Sequence, residues 1–211
     1  QEFLPMIKEN KPEIIEALTE RKASENEPVS YIETRDGLFD VEAYIQDHEI
    51  KKLFMDTETT GLDALSDELC LIQIRAGEKV FIIDAGKIGT GKENGFHYSG
   101  LEMLLEDKET LKVFQNAVFD LKFLKRHLFP KIRFRNIFDT CLAEKVLTAG
   151  TKADCSLQAI AERYLNIEMS KEEQTSFKVG QDLSEEQLKY AVNDVDVLPG
   201  IFEKQKLALF K

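Results

Sequence analysis

The stretch KKLFMDTETTGLDALSDELCLIQIRAGEKVFIIDA, residues 51–85, decides the fold. It holds three runs rich in Leu, Ile, Val and Phe: KKLFMDTET (51–59), ELCLIQIRA (68–76) and KVFIIDA (79–85). Each has the length and residue types of a β-strand. LDALSD separates the first two. Gly77-Glu78 is short enough to join the second and third as a hairpin. Downstream, strand and helix signals alternate: LEMLLED helix, LKVFQN strand, AVFDLKFLKRHL helix, KIRFRNIFD strand. Strands first and alternating elements later predict an α/β protein, a mixed five-stranded sheet with helices on its faces.

Outward from this centre the pattern is helical. Residues 140–211 read as helices with a polar break around 168–183, and Leu38, Val41 and Ile45 predict a helix over 38–47. Residues 11–23 read as a short helix opened by Pro12, and SENEPVS (24–30) as a linker. The expected organisation is therefore an N-terminal helix and linker (1–30) followed by one domain (31–211). A chain opening on Gln1 is expected to be part of a longer polypeptide.

Composition sets the class. The 43% hydrophobic and 32% charged residues describe a globular protein rather than a disordered or collagenous one. No apolar run approaches the roughly 18 residues of a transmembrane helix. Three cysteines, Cys70, Cys141 and Cys155, form no C-x-x-C pair, which argues against a disulfide framework or zinc ribbon. An intracellular, reducing compartment is expected. The net charge of −11 is uneven, because KFLKRHLFPKIRFR (122–135) carries six basic residues and no acid. Basic groups interleaved with Phe123, Phe129 and Phe134 suit a single nucleic-acid strand, although core packing also explains the phenylalanines. The loop GKIGTGKE (86–93) imitates a phosphate-binding loop. Glu93 stands where Ser or Thr would be needed, and the glycines that follow do not start a helix.

Three acidic elements carry the chemistry. Asp56 and Glu58 are two apart on a strand, so they share a face. Such a pair suits a divalent cation with oxygen ligands, or a strand end running into solvent. Asn116 and Asp120 follow the strand LKVF, where Asn116 can cap a helix and Asp120 can sit in its first turn. Tyr190 and Asp194 are i and i+4 on a helix started by the capping box Ser184–Gln187, and they share a face that excludes Asp196.

Together, D-x-E (Asp56, Glu58), N-x-x-x-D (Asn116, Asp120) and Y-x-x-x-D (Tyr190, Asp194) resemble the DEDD superfamily of 3′→5′ exonucleases, in its tyrosine subclass. Lys189 occupies the place where the histidine subclass carries its histidine. DTETTGLDALSDEL and QNAVFDLKFL are similar to the proofreading domain of family A DNA polymerases. CLIQIRAGEKVFIID and LSEEQLKYAVNDVDVL resemble RNase D. FDTCLAEKVL (138–147) and SLQAIAERYL (156–165) agree with the superfamily at large.

The resemblance implies an RNase H-like fold and two divalent ions, Mg²⁺ or Mn²⁺, held by Asp56, Glu58, Asp120 and Asp194, with Tyr190 orienting the attacking water. It implies that Leu62, Thr59 and Asn116 meet the terminal nucleotide, and Lys125 and Arg126 are expected to bind substrate from the basic island. The expected partners are a single-stranded or mispaired DNA 3′ end and a DNA polymerase domain. An RNase D-like exoribonuclease and an inactive nuclease-like scaffold are the alternatives.

Overall fold

The computed structural model describes residues 28–90, 98–149, 151–169 and 176–210. The expected helix at 11–23 lies outside them. At the centre stand β2 (Lys52–Thr59), β3 (Leu69–Ala76) and β4 (Lys79–Asp84), the three runs that the sequence marks as strands. β2 and β3 pair antiparallel, as do β3 and β4. The β3–β4 hairpin turns on two residues, and Gly77 takes the first with φ of +62°, a conformation that suits glycine.

The sheet has six strands in the order β1-β4-β3-β2-β5-β6, one more than the sequence predicts. The added strand is β1 (Val29–Ile32), which pairs parallel with β4 at the sheet edge. Four residues directly after Pro28 are too few to show a period of two, so this strand hides in the expected linker. It also crosses the expected boundary between residues 30 and 31. At the other edge, β5 (Leu111–Phe114) runs parallel to β2, and β6 (Ile137–Asp139) parallel to β5. Only the last three residues of the predicted strand 131–139 are extended. The Arg133 and Arg135 amides donate instead to Glu106 Oε1 and the Leu105 carbonyl.

Helices cover both faces. On one lie α1 (Arg35–Asp47), α3 (Ser99–Glu106) and α4 (Val118–His127), which bury Leu38, Ile45, Leu101, Phe123 and Leu124 against Leu53, Met55, Ile72 and Ile74. On the other lie α7 (Glu185–Asp196) and α8 (Leu198–Leu209), where Tyr190, Val195 and Phe202 pack on Phe54, Leu71 and Ile82. Leu53 and Met55 face one helical layer and Phe54 the other, as strand alternation requires. Each such large side chain contributes about 1.5–3 kcal/mol on burial. Two further helices, α5 (Thr140–Leu147) and α6 (Leu157–Leu165), pack beside α8. Among the described residues no helix is long and apolar enough to cross a membrane.

The region 86–100, read as a loop, is flanked by structure. Ala85–Ile88 forms a short helix, α2, and α3 begins at Ser99, while residues 91–97 lie outside the described residues. Gly86 serves packing rather than phosphate binding, since a Cβ there would stand 2.8 Å from the Gly180 amide nitrogen. Lys87 is spent on ion pairs with Glu33 and Asp182. These contacts fasten the segment that leads into α7.

Candidate active site

The C-terminal end of β2 builds the site. Antiparallel β3 pairs with β2 to this end, whereas parallel β5 pairs only with Lys52–Phe54, and a register shift falls between Glu58 and Thr59. Bulges of this kind re-aim side chains near functional sites. Asp56 and Glu58 point toward the α7 layer. There a carboxylate oxygen of each lies within 4.8 Å of one from Asp194. Gln73, directly opposite Asp56 on β3, donates from Nε2 to the diagonal neighbour Glu58 Oε1 at 3.1 Å. On α7 the helical period brings Tyr190 and Asp194 into the cleft and leaves Asp196 outside, where it pairs with Arg75.

Asp120 reaches the same cleft from the other layer and stands apart from that cluster of three. Thr57 alternates away from Asp56 and Glu58, and its hydroxyl donates to Asp120 Oδ1 at 2.7 Å. Asp56 links the two groups. After burial, the charge that most raises its pKa is Asp120, followed by Asp194 and Glu58.

Burial dominates the electrostatics. Burial first, then neighbouring carboxylates, lifts Asp56 and Glu58 well above the usual carboxylate range. Burial pushes Asp120 up to about 7 against the opposing Thr57 hydrogen bond. It pushes Asp194 up to about 7 against a bond from Tyr190. The Tyr190 hydroxyl is itself raised, by burial and then by Asp194 and Glu58, so it stays protonated. Asp194 Oδ1 is buried and has no hydrogen-bond partner among the described residues. A cluster of carboxylates with an orphaned oxygen fits a hard divalent cation, which takes oxygen ligands at its coordination sites.

The second motif is positioned differently from its sequence reading. Asn116 is not a helix cap: its φ is +59°, and α4 starts from Ala117 without a side-chain cap bond. The turn is held from β6, where Asp139 accepts the Asn116 and Ala117 amides, each at 3.0 Å. Thr59 and Asn116 line the cleft, whose volume is about 730 Å³. Leu62 stands 85% exposed at its mouth. Lys125 and Arg126 are absent from this cleft and line an adjoining one. Phe123 and Phe129 are buried in the core, so the basic island offers no exposed aromatic stack there.

The sequence reading missed Gln73, Asp139, Lys145 and Gln158, the last two of which line the cleft. Gln73 was marked by its polarity within the apolar run LCLIQIRA. The other three fall in FDTCLAEKVL and SLQAIAERYL, strings that agree with the superfamily but to which no roles attach.

The fold and this carboxylate cleft define a nuclease of the RNase H-like class. Family comparison matches residues 30–209 to the 3′-5′ exonuclease family. The chain belongs to that family, within the DEDD superfamily, and is an enzyme of this type. It is 36% identical over 155 residues to DNA polymerase I of Aquifex aeolicus, covering 73% of this chain and 23% of that protein. It is 31% identical over 149 residues to ribonuclease D of Zymomonas mobilis, covering 70% of this chain and 36% of that one. The chain thus spans well under half of these relatives. Brucella melitensis NrnC, solved with bound Mg²⁺, superimposes with a TM-score of 0.63 at 26% identity, covering 78% of this chain and 76% of NrnC.

Proposed function

We propose that the chain removes nucleoside 5′-monophosphates from single-stranded or mispaired DNA 3′ ends, as a proofreading nuclease working with a DNA polymerase domain. The observation that carries the chemistry is the meeting of Asp56, Glu58 and Asp194, the last with a buried Oδ1 unpartnered among the described residues, in a cleft that Asp120 also lines. Asp56, Glu58, Asp120 and Asp194 hold two divalent ions, Mg²⁺ or Mn²⁺, and Asp56 feels both groups of acids. Such ions supply Lewis acidity at the phosphate and acidify water near neutral pH. Gln73 fixes the orientation of Glu58, and Thr57 that of Asp120. Tyr190, protonated at neutral pH, orients the attacking water through its hydroxyl rather than taking its proton. Leu62 packs on the terminal base, while the Thr59 backbone and Asn116 contact the terminal nucleotide.

The DNA reading rests on the identity with polymerase I and on DTETTGLDALSDEL. The second reading, an exoribonuclease, is favoured by the comparable match to ribonuclease D. A degradation assay separates them, using matched single-stranded DNA, mispaired DNA and RNA 3′ ends with Mg²⁺ or Mn²⁺. Faster release from mispaired and single-stranded DNA is expected. Faster release from RNA overturns the proofreading role. A scaffold without activity would bind no pair of ions, which calorimetric titration with Mn²⁺ reads directly. The nuclease unit in this scheme includes β1 and so begins ahead of the expected boundary at residue 31, within a reducing compartment that holds nucleic acid.

A further inference from the structure

A second cleft, of about 560 Å³, opens beside the first. Its walls are the loop after β2 and the outer face of α4, and Leu62 lines both clefts. On α4, Lys122, Lys125 and Arg126 stand at i, i+3 and i+4, so they share one face about 5–6 Å apart. All three are exposed, and among the described residues none has an ion-pair or hydrogen-bond partner. Opposite them Leu65 is 79% exposed and forms an apolar wall with Leu62. Asp63 also lines the cleft, where its carboxylate accepts the Leu65 amide, and Asp67 accepts the Asp63 amide.

Unneutralised cations above an apolar wall match a chain that presents phosphates on one side and bases on the other. Their position matters as much as their charge. The acidic cleft repels phosphates until cations fill it. Leu62 stands where the two clefts meet, so a strand held at its 3′ end in the acidic cleft and leaving over Leu62 runs onto the basic face. The remaining basic residues of the island, Lys131, Arg133 and Arg135, do not line this cleft.

Building on the exonuclease reading, we propose that this cleft is the track for the phosphodiester backbone upstream of the 3′ nucleotide. The enzyme therefore selects single strands of several nucleotides over dinucleotides. Neutralising about three phosphates on a single strand gives a log–log salt slope near −2, or roughly 20-fold weaker binding from 50 to 200 mM salt.

The test compares kcat/KM for a 12-mer with that for a dinucleotide, in DNA and RNA forms, for the wild type and the variant Lys122→Gln/Lys125→Gln/Arg126→Gln. The expected result is a 12-mer to dinucleotide ratio that falls at least tenfold, with the salt slope reduced by about 2. An unchanged ratio, or equal losses on both lengths, overturns the track. Fluorescence anisotropy of a labelled 12-mer on Asp56→Asn protein, with and without the triple substitution, reads the track without turnover. If the wild type degrades neither length, the nuclease reading fails, while salt-dependent 12-mer binding lost in the triple variant still supports the track.

Discussion

The Asp139 carboxylate accepts the Asn116 amide at 3.0 Å and holds that residue in a left-handed conformation that a non-glycine side chain rarely adopts. The same carboxylate accepts the Ala117 amide and caps α5 through the Cys141 and Leu142 amides. One side chain thus joins two helix starts, one of them the helix that carries Asp120. Asp139→Ala is expected to destabilise the fold by about 3 kcal/mol through the lost cap and charge-assisted bonds. Urea denaturation measures this. Nucleolysis is expected to fall about 10–100-fold in the still-folded protein, the scale of outer-shell metal-site substitutions. Full activity in Asp139→Ala would show that Asp120 needs no such support.

Neutralising an acid in the cleft has opposite effects on activity and stability. Asp56 and Asp194 are raised by burial, and Asp56 also by its neighbours, which marks both as unfavourable charges in the metal-free fold. Asp56→Asn and Asp194→Asn are expected to abolish nucleolysis, by more than about 10³-fold for groups acting as a unit. The same changes should raise the melting temperature of the chelated protein. The alanine variants should likewise be inactive and folded. Retained activity in a purified Asp56 or Asp194 variant sinks the metal-ligand assignment.

How much of this was readable from the chain follows the range of each interaction. Asp56 with Glu58, and Tyr190 with Asp194, were legible because a strand repeats every two residues and a helix every 3.6. The three central strands were legible for the same reason. Gln73 was not, because its partner Glu58 is its neighbour only through strand pairing. Asp139 was not, because it acts on a turn 22 and 23 residues away. That Asp120 approaches Asp56 from the opposite helical layer to Asp194 depends on α4 and α7 lying on opposite faces of the sheet, which no local spacing encodes. β1 and the irregular stretch 131–136 were misread because edge segments take their partners from distant elements, Pro28–Ile32 from β4 and Arg135 from α3.

Metal-free stability should depend on pH with a definite sign. Asp120 and Asp194 titrate near 7 in the folded chain against about 3.9 when unfolded. Between those values the native state binds more protons than the unfolded state. Stability is therefore highest below about pH 4 as far as these groups are concerned, and falls as pH rises toward 7, with a limiting slope of about 1.4 kcal/mol per pH unit for each group. In EDTA the melting temperature should drop across this window. Adding Mg²⁺ or Mn²⁺ should reverse the drop, increasingly at higher pH, since ligands that bind only the native state stabilise it. Chelator should also stop nucleolysis, and excess metal restore it. Turnover in excess chelator, or a melting curve indifferent to metal at pH 8, contradicts the cation site.

Tyr190 separates positioning from ligation. Its ring packs in the core beside Phe177, at 6.1 Å between centroids, so Tyr190→Phe keeps the packing and removes only the hydroxyl. Turnover should fall about 10–100-fold, at or below the low end of losing a true acid–base group. The hydroxyl also donates to Asp194 and thereby lowers its pKa. Without that bond the Asp194 carboxyl holds its proton to higher pH, so protons compete better with the cation. Mn²⁺ affinity by calorimetry should therefore weaken at pH 6 and converge with the wild type near pH 8.5. The acidic limb of the pH–rate profile should move to higher pH by a fraction of a unit. A variant with unchanged kcat and an unshifted acidic limb would remove Tyr190 from the reaction and leave it a core residue.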